Sequence, residues 1–379
     1  MAWKSLEFLL ATIMSLITGL LISLIMLEIA VRVYRCVRHH KDFWETYPMA
    51  SAKRLYFECH PYALYVKKPN CDGLYPTNSL GYAGKREISK ERSPNSVRIY
   101  CVGGSTVETY DPDQGPDSTW PGKLQDLLTS RFPGIAIECI NGGVAGYTSA
   151  ESLSDFLFRG VDLRPDILLV YHNVNDVWTC QMVEGFRSDY SHARTSNHWN
   201  VGWLNRIPQI PYLAIYQLLR YRIIRRFGKP NALIYWISDP PWKPVHAVDP
   251  NAVEAFRRNI INLVSVAQTW DCTSVLIKWE CDWSAEYHPP YYLENTTETS
   301  RVYFDFLKAN NQALEDISRR LENCHYLDVG PFGAHHFSDK VHFSVSGIDE
   351  IARRVADGIE PIVRSIVKAA NSVRHNRDI

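Results

Sequence analysis

The run Val97-Arg98-Ile99-Tyr100-Cys101-Val102 leads without a break into Gly103-Gly104-Ser105-Thr106, and its reading decides the fold. Six residues rich in β-branched and aromatic side chains, closed by two glycines, describe a buried strand that ends in a sharp turn. Four further runs of the same texture follow: Ile135 to Ile140, Ile167 to Tyr171, Ser274 to Trp279 and His325 to Val329. Around them Trp120 to Phe132, Ser149 to Arg159, Asn251 to Trp270, Ser300 to Leu321 and Ile348 to Val367 carry apolar residues at helical spacing. Short strands alternating with longer helices predict an α/β domain with a mostly parallel sheet of about five strands.

Working outward, the 379 residues are 46% hydrophobic and 22% charged, which excludes disorder as the main character of the chain. Forty-one basic residues balance forty-one acidic ones, so there is no electrostatic case for nucleic acid as a partner. The first organised feature is Phe8 to Leu27, FLLATIMSLITGLLISLIML, an uncharged stretch of the length that spans a bilayer core as a helix. It continues through Glu28 into Arg32 without a small-residue cleavage pattern, and reads as an uncleaved single-pass anchor. Glu28 and Arg32 are four residues apart and predict an ion pair on one helical face. Residues 1–41 are thus expected to be anchor and basic flank, 42–95 a lead-in of short strands and turns, and 96–379 the α/β domain. An insertion at about 177–250 interrupts that domain, and Tyr212 to Phe227 within it predicts a basic amphipathic helix suited to a membrane surface or an acyl chain, or simply docked on the domain. The nine cysteines form no C-x-x-C pair; Cys59 with Cys71, or Cys272 with Cys281, could close a loop in an oxidising compartment.

In open parallel sheets chemistry gathers at the carboxyl ends of the strands. After the first strand Gly103-Gly104 leaves Ser105 at the mouth of the sheet; neither phosphate-loop glycine pattern is present there. After the second comes Asn141-Gly142-Gly143-Val144-Ala145-Gly146, and after the third His172-Asn173-Val174-Asn175-Asp176. Near the C-terminus stands Asp339-Lys340-Val341-His342, in which the carboxylate can reach the imidazole Nδ1–H and leave Nε2 to accept a proton from a serine. The same D-x-x-H spacing occurs at Asp189 and His192, so only position, before the last helix, favours the later pair. His335, His336, Asp339 and His342 also form a run with metal-ligand chemistry, but that reading leaves the Gly-Gly-Ser and Asn-Asp blocks without a role.

Taken together, Gly103-Gly104-Ser105, Gly146, Asn175-Asp176 and Asp339-x-x-His342 resemble the SGNH hydrolase family, the GDSL-type esterases and lipases, over roughly residues 96 to 368. The resemblance implies a flavodoxin-like three-layer α/β/α sandwich and a serine esterase without metal or cofactor. In it Ser105 would be the nucleophile, His342 the general base and Asp339 its orienting partner, while the Ser105 N–H, Gly146 N–H and Asn175 amide form an oxyanion hole. Asn78-Ser79-Leu80-Gly81-Tyr82-Ala83-Gly84 is similar to a segment that precedes the serine in membrane-anchored members, with Ala83 in the place of the usual arginine. Gly104 replaces the aspartate of G-D-S-L, and Asn173 replaces the glycine of G-x-N-D. The implied substrate is an acetyl-sugar or lipid ester. An O-acyltransferase on a surface polysaccharide would use the same residues, and a catalytically silent binding module would keep the fold alone. Sidedness is contested: Lys4 precedes the span while Arg32, Arg35, Arg38 and Lys41 follow it, favouring a cytoplasmic body, whereas the resemblance to anchored members implies a body outside the cytoplasm.

Overall fold

A computed structural model describes residues 2–39, 43–44, 56–73, 75–93, 95–193, 213–216, 218–219, 243–284, 286–287 and 296–375. The chain divides into two units, Met1–Arg54 with Trp199–Leu233, and Leu55–His198 with Ile234–Ile379. In the first, helix α1 (Ala2–His39) contains a segment, Glu7–Arg38, long and apolar enough to cross a membrane. Three of its hydroxyls, on Thr12, Thr18 and Ser23, each donate to the carbonyl four residues earlier, at 2.8 Å. Glu28 and Arg32 form the expected ion pair at 2.8 Å. The carboxylate also accepts the backbone N–H groups of Ala214 and Ile215, at the start of a short helical segment of this unit. Most of the expected Tyr212 to Phe227 helix lies outside the described residues.

In the second unit, strands β1 (Phe57–His60) and β2 (Leu64–Lys67) form an antiparallel hairpin in the lead-in. Five strands, β3 (Ser96–Gly103), β4 (Ala136–Asn141), β5 (Ile167–Tyr171), β6 (Thr273–Ile277) and β7 (Cys324–Leu327), build one sheet in the order β4-β3-β5-β6-β7. Every pairing in it is parallel. The helices are α2 (Trp120–Arg131), α3 (Ser149–Asp155), α4 (Pro250–Thr269), α5 (Thr297–Ser318) and α6 (Val345–His375). Polar caps set their starts: Thr119, Thr148, Asp249 and Thr296 each accept a first-turn N–H, and the first two stand immediately before the runs of apolar periodicity.

Alternation along β3 divides the core. Val97, Ile99 and Cys101 pack with Leu124 and Leu128 of α2 and Ile351, Val355 and Ile359 of α6. Tyr100 and Val102 face the other way, against Phe256, Ile260 and Leu263 of α4 and Leu314 and Ile317 of α5. The result is the expected flavodoxin-like three-layer α/β/α sandwich, in which a central strand buried on both faces reads as an unbroken apolar run. Two details differ from expectation. The helix from Ser149 leaves the α conformation at Phe156 for one wider π-helical turn, and the last helix extends well beyond Val367. Cys272 and Cys281 are separate buried thiols, because β6 runs between them and its rise of about 3.3 Å per residue carries them beyond bridging distance. The alternative pairing involves the Cys59 side chain, which lies outside the described residues.

The exception in the apolar run is Arg98, fully buried in β3. Its guanidinium pairs with Glu138 of β4 at 2.7 Å and donates to the carbonyls of Ser89 and Leu163, tying the lead-in to the first layer. Arg98→Met should cost about 3 kcal/mol of unfolding free energy, because it leaves a carboxylate, the buried Leu163 carbonyl and the Ser89 carbonyl without their donor. Urea unfolding of the full chain in detergent measures this; a loss below about 1 kcal/mol, the scale of a surface pair, would show the network to be dispensable.

Candidate active site

The strand order reverses beside β3: the chain leaves β3 for β4 on one side and returns to β5 on the other, so a crevice opens at the carboxyl ends of β3 and β5. Ser105 stands there, at the head of a helical turn (Ser105–Glu108) that follows β3 directly. The turn is tight, and a Cβ on Gly104 would come within 2.4 Å of Asn175 Nδ2. A side chain at the position where the G-D-S-L pattern has aspartate would therefore push the Asn175 amide aside.

His342 reaches Ser105 from the loop before α6, with Nε2 2.8 Å from Ser105 Oγ. On its other side Nδ1 is 2.7 Å from Asp339 Oδ2, which fixes the tautomer with the proton on Nδ1 and leaves Nε2 as the acceptor. Asp339 Oδ1 accepts the backbone N–H groups of His342 and Val341. Burial alone would raise the Asp339 carboxyl, but the His342 hydrogen bond and charge and these two N–H groups outweigh it and bring the group down to about 2. The loop closes as a small ring: Ser338 N–H donates to the His342 carbonyl at 2.8 Å, and Phe337 bridges Phe343. Between the aspartate and the histidine, Lys340 takes a positive φ of 93°, rare for a side-chain-bearing residue. Asp282 supports it by donating its N–H to the Lys340 carbonyl at 2.9 Å and pairing with Nζ at 3.3 Å. No sequence pattern pointed to Asp282, whose partner lies 58 residues away.

The other two blocks meet at the same edge. Asn175, in the helical turn Val174–Asp176 after β5, donates Nδ2 to the Tyr147 carbonyl at 2.8 Å, joining the β5 loop to the β4 loop. Gly146 in that β4 loop has φ of +83°, a conformation glycine adopts without strain. The rest of His172-Asn173-Val174-Asn175-Asp176 faces inward. Asn173 is extended, with φ of −175°, and exchanges hydrogen bonds with Leu307, Asn310 and Asn311 of α5, so its replacement of glycine leaves the loop at Asn175 intact. His172 binds Ser152 Oγ through Nε2 at 2.7 Å, and burial pushes its imidazole down to about 4, leaving it neutral at neutral pH. Asp176 is fully buried and raised by burial to about 7, although Ser149 and Tyr190 donate to it.

The duplicate pair behaves otherwise. His192 takes the Arg187 N–H on Nδ1 and faces the Cys180 carbonyl through Nε2, while Asp189 accepts the Ser191 N–H, so equal spacing there makes only a turn. Among the described residues no three His, Cys, Asp or Glu side chains converge as a metal site. His335 and His336 lie against each other with ring centroids 4.0 Å apart and planes tilted by 40°, while His342 and Asp339 are engaged with Ser105 and each other. A cleft of about 440 Å³ runs along α5 past Trp283, Ser300, Arg301 and Phe304, and its lining includes none of Ser105, Gly146, Asn175, Asp339 and His342.

The chain is similar to several solved structures at low sequence identity. A lipase/acylhydrolase from Enterococcus faecalis is 13% identical, with a TM-score of 0.41 over 70% of this chain and 96% of that one. A GDSL-like lipase from Bacteroides thetaiotaomicron is 14% identical, with a TM-score of 0.39 over 70% and 88%. An acetylxylan esterase from Geobacillus stearothermophilus is 14% identical, with a TM-score of 0.40 over 70% and 96%. No curated protein matches the chain. The family model of GDSL-like lipases and acylhydrolases matches residues 101–348, a span that contains Ser105, Gly146, Asn175, Asp339 and His342, and the chain belongs to that family.

Proposed function

We propose that this protein is a membrane-anchored serine esterase that cleaves a carboxylic ester of a glycan or a lipid through an acyl-serine intermediate. The observation that carries the reading is the continuous chain Ser105 Oγ, His342 Nε2, His342 Nδ1, Asp339 Oδ2, with contacts of 2.8 and 2.7 Å. Ser105 Oγ attacks the acyl carbonyl as its proton passes to His342 Nε2. The carbonyl electrons move onto oxygen, and the Ser105 N–H, Gly146 N–H and Asn175 Nδ2 hold that oxyanion. Collapse breaks the ester C–O bond, and His342 returns its proton to the departing alkoxide. A water, deprotonated by His342, then attacks the acyl-serine, releasing the acid and restoring Ser105. Asp339 stays ionised throughout and stabilises the imidazolium, which suits a carboxyl held at about 2.

Ser105→Ala should abolish hydrolysis of p-nitrophenyl esters while leaving the melting temperature unchanged, since the hydroxyl lies on a surface turn. Normal turnover by this variant would end the proposal. Run on the wild type with increasing acyl length, the same series separates an acetyl ester from a lipid ester. A parallel labelled-acetyl assay with a polysaccharide acceptor reveals transfer to a sugar hydroxyl in place of water.

Asn175→Ala should lower kcat by about 10²–10³-fold with little change in KM, because its N–H acts only as charge develops. Gly104→Asp, although it restores the aspartate of the G-D-S-L pattern, should fall in the same direction, because the added Cβ displaces the Asn175 amide. Unaltered kcat in both variants, with normal thermal melts, would remove Asn175 from the oxyanion hole.

The anchor reading rests on Glu7–Arg38, and we place the body outside the cytoplasm, where surface glycans and lipids occur. Charge after the span opposes this, but large domains translocate largely regardless of charge. Protease added to intact cells or spheroplasts should degrade the body while a cytosolic marker survives; degradation only after lysis would put it inside.

A further inference from the structure

Upstream of the family-matched segment 101–348, the β1–β2 hairpin of the lead-in is built into the loop that carries Gly146. Three contacts converge there. Tyr65 Oη donates to the Ala145 carbonyl at 2.5 Å. The Ala145 N–H donates to Glu108 Oε2 at 2.5 Å, and Glu108 Oε1 pairs with Lys67 Nζ at 2.8 Å. Tyr147 Oη donates back to the Tyr65 carbonyl, and the two tyrosine rings meet edge to face at 5.0 Å. Tyr65, Lys67, Glu108 and Tyr147 are all buried, so these bonds are shielded from water.

The peptide group joining Ala145 to Gly146 is planar, so its carbonyl and its N–H point in opposite directions. A donor fixed on the Ala145 oxygen therefore sets the direction of the Gly146 N–H. A hydrogen bond on the carbonyl also polarises the group and strengthens the N–H as a donor. Glu108, one turn after Ser105, holds the N–H of the preceding peptide, Val144–Ala145, and so ties the other side of Ala145 to the serine turn. Lys67 keeps that carboxylate in place, since an unpaired buried carboxylate would be costly.

We propose that Tyr65 is a positioning residue for the oxyanion hole, aiming and polarising the Gly146 N–H through the Ala145 carbonyl, with Lys67 and Glu108 clamping the other side of the loop. This rests on the reading of Gly146 as an oxyanion donor. The hairpin is thereby part of the catalytic apparatus, and a fragment beginning at the first sheet strand would lack it.

The test uses the full-length chain in detergent. Tyr65→Phe removes one oxygen and keeps the ring; it should lower kcat about 10-fold, less than loss of a direct donor, with KM and melting temperature close to wild type. An aryl trifluoromethyl ketone, which forms a tetrahedral oxyanion adduct with an active serine, should bind Tyr65→Phe more weakly by the same factor as kcat falls. Tyr147→Phe is the control: it loosens the hairpin without touching the Ala145 carbonyl, and should alter kcat and ketone affinity far less. Wild-type kcat in Tyr65→Phe would overturn the proposal. So would equal kcat losses in the two variants that follow their melting temperatures, which would mark the tyrosine as general packing. Inactivity of the ketone on the wild type, or normal turnover by Ser105→Ala, would instead bring down the esterase reading beneath it.

Discussion

Everything in the hydrolase domain depends on one constraint: β3 is buried along its whole length, so each of its peptide groups must find a hydrogen-bond partner inside the protein. A neighbour on each edge supplies most of them, and β4 and β5 fill those places, both parallel to β3, while Asp166 just before β5 takes the Arg98 N–H on its carboxylate. Because the chain reaches them by crossovers in opposite directions, the loops at the carboxyl end of β3 diverge. The crevice between them is the place where the backbone leaves the sheet unpaired and Ser105 comes to the surface.

Around that crevice the protein concentrates polar groups in its interior. Glu108, Asp176, His172 and Asn173 are all buried, and each is held by partners from a different element. Buried polar groups are costly unless satisfied, so each network admits one arrangement of its loops. Asp176 joins the start of α3 to the β5 loop, Asn173 joins that loop to α5, and Asn175 joins it to the β4 loop. The candidate oxyanion donors sit between rigid supports, which is what electrostatic stabilisation of a transient charge requires. Lys340, with its positive φ, stands between Asp339 and His342 and is braced by Asp282 in the same manner.

Two features show how the same local chemistry acquires different roles. Asp339 with His342, and Asp189 with His192, share their spacing, yet only the first pair forms a carboxylate–imidazole contact. The loop before α6 closes on itself and delivers an imidazole to the sheet edge, whereas the turn at Asp189 commits both side chains to nearby backbone. Glycine at position 104 is likewise a consequence of its surroundings, since the Asn175 amide fills the space that a side chain would need.

The sequence by itself determined the strands, the helices, the apolar N-terminal span and the Glu28–Arg32 pair, because periodicity and i,i+4 spacing are local properties. Ser105, Asn175, Asp339 and His342 were also legible, since each follows a strand or precedes the last helix in a recognisable block. Tertiary structure alone decided that these blocks meet, with 237 residues between Ser105 and His342. It alone brought Asp282 beneath Lys340, turned Asn173 into α5, and set Tyr65 and Lys67 of a short lead-in hairpin against the loop at Gly146. The physical reason is that a side-chain hydrogen bond depends on distance in space, and the packing of the sheet and its crossovers, more than any spacing along the chain, brings those atoms within reach.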